Sequence, residues 1–182
     1  MWYLFCQDLS TWGDYSLSSS FFWSSNKFIV LQVLIRYVLL CTMVVLYAVA
    51  LLCINNDVLL VRRKNPTFGN GMYSFVGGQV EPNERALQAI VREVQEETGL
   101  HLKESDFTFV HVFDRKGTEG PFIALCFKAD ITGMQPQNKE PDKHDDMQFF
   151  PMDNPPENLL PAHKQVLECV AKGISYSEHG WQ

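Results

Sequence analysis

Residues 92–100 read REVQEETGL. On the approach to this stretch and within it, Leu87, Ile90, Val91 and Val94 recur at i, i+3, i+4 and i+7, the spacing of a helix packed along one face. On that helix Glu93 neighbours both Glu96 and Glu97, and like charges so placed repel by roughly 0.2–0.5 kcal/mol per pair. Glu96 and Glu97 also stand just before Thr98-Gly99, a helix stop, where the negative end of the macrodipole disfavours more negative charge. An ordinary solvated acidic helix is one explanation, and a site built for a cation is the other. Glu93 and Glu96 fall away from the apolar stripe and Glu97 lies on its flank. All three are therefore expected to line a cleft edge, with Glu97 facing solvent.

At 182 residues and 46% hydrophobic composition, the chain fits one domain with a proper core plus a tail. A net charge of −6, from 21 acidic and 15 basic residues, argues against general nucleic-acid binding. A small anionic ligand would need local help from a metal or a few arginines. The cysteines (Cys6, Cys41, Cys53, Cys126 and Cys169) are scattered and lack a close pair with histidines at metal-site spacing. Reduced, mostly buried thiols in a cytoplasmic protein account for them.

The N-terminal third is unusual. From Met1 to Asn56 the only formal charges are Asp8, Asp14, Lys27 and Arg36, and Phe28–Ile54 is nearly all apolar. Taken alone, Tyr37–Ile54 approaches the length of a membrane span. Arg36 interrupts the longer run, and the basic flank and A-x-A-like site of a secretory signal are missing. Alternatively, Met43–Ile54 is a buried strand, rich in Val and Leu, followed by the turn-like NND and a second strand, VLLVRR at Val58–Arg63. Periodicity does not separate the two readings. The expectation is a strand, with residues 1–35 a flexible or non-core extension and 36–182 the domain. Phe28–Thr42 is then too short to span a membrane and carries Arg36, so membrane contact is not expected.

Past VLLVRR, Pro66, Gly69, Gly71, Gly77, Gly78 and Pro82 punctuate a loop, a short strand around Met72–Val76 and a turn, with a helix starting near Asn83 as N-cap. Beyond Leu100 the period changes. Phe107–Asp114 and Phe122–Asp130 read as strands joined by the loop RKGTEGP. ITGMQPQNKEPDKHDD is a long polar loop, MQFFPM a short strand, and Val166, Leu167, Val170 and Ile174 mark a second helix from near Pro161. This order of elements is that of an α/β sandwich, a mixed central sheet with helices on both faces.

Gly78, five residues, Glu84, seven residues, then Arg92-Glu93-Val94-Gln95-Glu96-Glu97-Thr98-Gly99-Leu100 resembles, at every fixed position, the signature G-x5-E-x7-R-E-U-x-E-E-x-G-U of the Nudix hydrolase family, U being aliphatic. VLLVRR and GMYSFVGG resemble the segments that usually precede it, and the likeness runs from about Arg36 to the C-terminus. It implies a Nudix-like α/β/α sandwich and a nucleotide pyrophosphatase. Such an enzyme hydrolyses a diphosphate bond in a nucleoside diphosphate linked to another moiety, using Mg²⁺, with Mn²⁺ able to substitute. Diphosphates are polyanionic, and a divalent cation neutralises their oxygens and acidifies bound water.

By this resemblance Glu93 and Glu97 would ligate metal, Glu96 would complete the shell, and the main-chain carbonyl of Gly77 would add an oxygen. Arg92 would orient a glutamate, and Glu84 would anchor the helix start or act behind the ligands. Duller roles stand beside these: a tight turn for Gly77 and Gly78, charge relief for Arg92, and dipole pairing for Glu84. The general base is left open between a box glutamate and a later acidic residue. Glu140, Asp145 and Asp146, in KEPDKHDD, are the loop candidates for base or extra ligand, with a solvated acidic loop as the alternative. His144, in the same loop, is a candidate pH-sensitive substrate contact, although a lone loop histidine usually carries no function.

For the substrate, Arg62 and Arg63 end a strand leading to the cleft, and alternation would let at most one reach a ligand. Gly78 adjoins the same cleft. Tyr73, Phe149 and Phe150 are candidates to stack on a base, or core residues. The extra motifs of the coenzyme A- and NADH-hydrolysing subgroups are absent, and Pro121 stands further from the box than in many ADP-ribose hydrolases. The compact region ending in ISYSEHGW looks most like small nucleoside triphosphate pyrophosphohydrolases, which release a monophosphate and pyrophosphate. Alternatives are ADP-ribose, a dinucleotide or an RNA 5′ end as substrate, a non-catalytic nucleotide-sensing module, or a membrane-tethered head. The partner expected is a small nucleotide, and a homodimer is compatible with this reading.

Overall fold

The computed structural model describes residues 44–64, 68–117 and 120–181. The extension expected at 1–35, the run Phe28–Thr42 and the boundary at Arg36 lie outside the described residues.

β1 (Val45–Ile54) and β2 (Asp57–Arg63) form a hairpin whose turn holds Asn55 at φ 55°. Then come β3 (Tyr73–Ser74), β4 (Val76–Gln79) and helix α1 (Ala86–Thr98). After a 3-10 turn at Glu104–Asp106 follow β5 (Thr108–Gly117), β6 (Gly120–Asp130), β7 (His144–Pro151), α2 (Pro161–Ala171) and β8 (Tyr176–His179). β1 is central. It runs parallel to β6 along one edge, while its other edge is shared by β4, antiparallel from Tyr47 to Ala50, and by the start of β2. β2 diverges to pair with β7 and β3, and β5 joins β6 to β8. Among the described residues the sheet is mixed and eight-stranded.

The apolar run is explained by this central place. Ala48, Ala50 and Leu52 of β1 pack with Leu59, Val61, Phe127 and the α1 residues Ala89, Ile90 and Val94. Leu51 and Cys53 pack on the opposite face with Val58, Leu60, Cys126 and the α2 residues Ala162, Val166 and Leu167. A strand buried on both faces has no polar side to show, so it reads as a continuous apolar run. Each such Val, Leu or Ile contributes about 1.5–3 kcal/mol through its removal from water. Among the described residues, no helix is long and apolar enough to cross a membrane.

Several boundaries differ from the sequence reading. α1 starts at Ala86, because Asn83 sits at φ 67° in a turn and the Arg85 N–H donates instead to Gln88 Oε1, 2.9 Å away. The strand expected around Met72–Val76 is two, since β3 pairs with β2 and β4 with β1. RKGTEGP is mostly strand, with β5 and β6 paired out to Gly117 and Gly120. His144, Asp145 and Asp146 belong to β7 and not to a loop. β8 was not anticipated. It is four residues long, largely polar, and is held by distant His111, whose ring nitrogens meet Ile174 O at 2.9 Å and Ser177 Oγ at 2.8 Å. Ile174 lies past the end of α2 and is exposed.

Candidate active site

β4 and α1 meet where two glycines face two glutamates. Gly77 adopts φ 142°, and a Cβ there would lie 2.3 Å from Ala48 O. Its N–H donates to Glu97 Oε2 at 3.3 Å. The resemblance assigns the Gly77 carbonyl to a cation; the contact seen here is through the N–H. A Cβ on Gly78 would fall 2.2 Å from Glu93 Oε1, so the missing side chain is what lets the Glu93 carboxylate lie against β4.

Arg92 gathers the acidic groups. Its Nε and one terminal nitrogen donate to the two oxygens of Glu84, both at 3.0 Å, a bidentate pair. The other terminal nitrogen donates to Glu93 Oε1 at 2.8 Å and Glu96 Oε2 at 3.2 Å. Gln79 O accepts a further bond at 3.2 Å. These bonds, led by that to Glu84, hold the guanidinium firmly charged, and in return Arg92 draws the Glu84 carboxyl below its ordinary value. Glu93 moves the other way, because burial outweighs the help of Arg92.

Glu97 corrects the expectation of a solvent-facing side chain: it is only 6% exposed. Burial, then the neighbouring charge of Glu93, pushes its carboxyl up to about 8, against the opposing Gly77 N–H. The segment after β6 closes over it. Gln137 and Lys139 donate backbone N–H bonds to Thr98 O at 2.9 Å and Glu97 O at 3.0 Å, satisfying carbonyls that the end of α1 would leave orphaned. This docking brings Glu140 and His144 to Glu97, with one ligand atom of each within 4.8 Å of the others. Lys143 Nζ lies 2.6 Å from Glu140 Oε1 and adds a positive charge.

Oxygen-rich and partly desolvated, with Glu97 itself in no ion pair among the described residues, the set Glu93, Glu97 and Glu140 fits a hard divalent cation. A family model described as NUDIX domain matches residues 45–169. The chain belongs to the Nudix hydrolase family. Its relatives include an ADP-ribose pyrophosphatase of Methanocaldococcus jannaschii, 32% identical over 114 residues, 63% of this chain and 65% of that protein. Another is an NAD-capped RNA hydrolase NudC of Stutzerimonas stutzeri, 34% identical over 113 residues, 60% of this chain and 37% of that protein. The chain thus spans less than two thirds of the length of either. Among solved structures, a MutT Nudix hydrolase from Burkholderia pseudomallei is similar at TM-score 0.63 and 26% identity, covering 69% of this chain and 97% of that one.

Around this Nudix signature the other sequence candidates separate. Glu140 joins the cluster, whereas Asp145 accepts from Arg62 Nε at 2.6 Å and Asp146 accepts from the Tyr73 hydroxyl and, at 2.7 Å, from Gln148. Tyr73 is buried in the α2-side core, edge-on to Phe150, and Phe149 packs against the α1-side core. Tyr73 is thus a core residue, and Phe149 is half-buried. The β2–β7 register slips between Arg62 and Arg63, which ends the strict alternation expected along VLLVRR.

Arg63 instead finds unanticipated company in the Nudix domain. Among the described residues its buried Nε has no hydrogen-bond partner, and the same holds for Arg115 Nε of β5. The Arg115 guanidinium lies over the Phe68 and Phe122 rings at 5.3 and 5.4 Å. Beside it a cavity of about 30 Å³ is lined in part by Phe75, Phe122 and His163. His163 is half-buried, accepts the Phe75 N–H at 2.9 Å, and is pushed down to about 3 by desolvation, so it adds no charge here. A strand-end arginine carries no local signal, which is why Arg115 escaped the sequence reading.

Proposed function

We propose that this chain is a metal-dependent pyrophosphohydrolase. It cleaves the diphosphate of a nucleoside diphosphate linked to another moiety, and a nucleoside triphosphate yielding monophosphate and pyrophosphate is the lead substrate. One observation carries the reading: Glu97, buried, faces Glu93, Glu140 and a glycine-only stretch of β4. Such an arrangement costs stability unless a cation neutralises it. Mg²⁺ suits the carboxylate oxygens, with Mn²⁺ able to take its place. The bound cation supplies charge neutralisation and acidifies water. This chain's own groups do the rest. Arg92 fixes Glu84, Glu93 and Glu96, and Gly77 holds Glu97. Arg63 and Arg115, with unsatisfied buried donors, receive the anionic substrate. Water oxygen bonds to phosphorus, the bridging P–O bond breaks, and the water's proton passes to a carboxylate. Glu97 or Glu140 serves as that base, since these two carboxylates lie together while Asp145 and Asp146 are bonded to Arg62 and Tyr73. Buried, high-pKa thiols at Cys53 and Cys126 suit a reduced, cytoplasmic setting.

ADP-ribose is the second substrate reading, favoured by the Methanocaldococcus jannaschii relative. The test is a panel over nucleoside triphosphates, ADP-ribose, dinucleoside polyphosphates and capped RNA, with the nucleotide products separated by ion-exchange chromatography, Mg²⁺ or Mn²⁺ as cation and Glu97→Gln as blank. Metal-dependent turnover lost in the blank supports the proposal. Nucleotide binding without turnover in any class would replace it with a sensing module.

A further inference from the structure

His144 differs from His111 and His163. His111 has both ring nitrogens within hydrogen-bond distance of Ile174 O and Ser177 Oγ, and His163 accepts from the Phe75 backbone. His144 is 7% exposed, yet its Nδ1 has no partner among the described residues, and its ring lies beside two carboxylates. A buried polar atom left unpaired is costly enough that native structures rarely keep one without a use for it.

The ring is held there by the main chain and not by its own nitrogens. The His144 N–H donates to Glu140 O at 2.9 Å, so Glu140 and His144 are closed into one turn. Asn138 locks that turn, donating to His144 O at 2.7 Å and accepting the Glu140 N–H at 3.1 Å. Just past β2, the Lys64 N–H reaches Lys143 O at 2.7 Å, and Arg63, the last residue of β2, is the register partner of His144. On the other side, Lys139 is bonded to the last turn of α1, from which Glu97 projects. Three separate elements thus converge on one oxygen–oxygen–nitrogen set. Lys143 pairs with that set only through Glu140, which it approaches from an exposed position.

We propose that His144 supplies a nitrogen ligand to a cation held by Glu97 and Glu140, and that this position prefers Mn²⁺ or Co²⁺ to Mg²⁺. The inference rests on the metal-dependent reading of the function and specifies one of its cation positions. Mg²⁺ takes oxygen ligands and keeps its waters, whereas nitrogen donors favour first-row transition ions, with affinity rising from Mn²⁺ to Co²⁺. An all-carboxylate site follows the same order more weakly. One imidazole is enough to sharpen the order.

The test uses the full chain, freed of metal by chelation and without nucleotide. Calorimetry measures affinity for Mg²⁺, Mn²⁺ and Co²⁺, and pulsed EPR on the Mn²⁺-loaded protein compares ¹⁵N-histidine with unlabelled material. The expected result is a histidine-nitrogen coupling to Mn²⁺ that His144→Ala abolishes. The same variant should lose about tenfold or more in Co²⁺ affinity, with Mg²⁺ affinity changed less than about twofold. If Mn²⁺ binds, and Glu97→Gln removes the binding, but no histidine nitrogen is coupled, the inference is overturned and the metal-dependent reading stands. Failure of every divalent ion to bind overturns both. Should His144→Ala fail to fold, His144→Asn replaces it: loss of the coupling there supports the inference, and a coupling that persists overturns it.

Discussion

Gly78 and Glu93 compete for one volume: a Cβ on Gly78 would stand 2.2 Å from Glu93 Oε1 and 2.5 Å from its carboxyl carbon. That carboxylate is the far end of a flexible chain, so an added methyl moves Glu93 and not the backbone. Gly78→Ala is expected to shift the melting temperature by only a few degrees while cation affinity and turnover fall about ten- to hundredfold. Calorimetric metal titration beside a thermal melt checks it; unchanged affinity would mean that Glu93 holds no cation.

Glu97→Gln should abolish turnover and yet stabilise the metal-free protein at pH 8, by about 1–3 kcal/mol, because a buried charge beside Glu93 is removed. The Gly77 N–H retains an oxygen to bond. Chemical denaturation in a chelator measures this, and a destabilised variant would contradict it.

The pH dependence follows in sign. Glu97 is raised from 4.5 to about 8, so its contribution is fully present below about pH 4.5 and is lost as pH rises through 8. Glu93 is raised too, by burial ahead of its neighbours, and acts in the same sense. His144 and His163 are lowered by burial and act oppositely, but only below about pH 6.5. Between pH 6.5 and 8 the metal-free protein should therefore lose up to about 2 kcal/mol. Melts across that window should slope downward, and the slope should flatten in Glu97→Gln.

Arg92→Ala strips Glu84, Glu93 and Glu96 of their shared partner, at an expected cost of about 1–3 kcal/mol with a loss of turnover. Arg92→Lys should not restore either, since an ammonium cannot make the bidentate pair with Glu84 while reaching Glu93. Urea unfolding of both variants decides whether Arg92 acts through this fork or only through its charge.

Arg115→Met keeps the aliphatic bulk between Phe68 and Phe122 and removes the guanidinium. KM for the nucleotide is expected to rise about tenfold with cation affinity within twofold, which steady-state kinetics and calorimetry separate. A changed kcat at constant KM would remove Arg115 from substrate binding.

What the amino-acid sequence determined by itself is local. Gly78, Glu84 and the REVQEETGL helix could be read because spacing on one helix and one turn is preserved in linear order. Phe28–Ile54 could not be resolved by pattern alone, and its described part, Val45–Ile54, is a strand because β4 and β6 pair with it while α1 and α2 cover its faces. Tertiary structure alone decided which later acidic residue meets Glu97. Glu140, Asp145 and Asp146 look alike in the chain, but only Glu140 lies in the segment tied to the end of α1, while Arg62 and Tyr73 claim the other two. It also decided that Glu97 is buried, since the covering segment lies some forty residues away along the chain. Burial and charge neighbourhood depend on through-space contacts, and no periodicity of one helix encodes what another segment will lay across it.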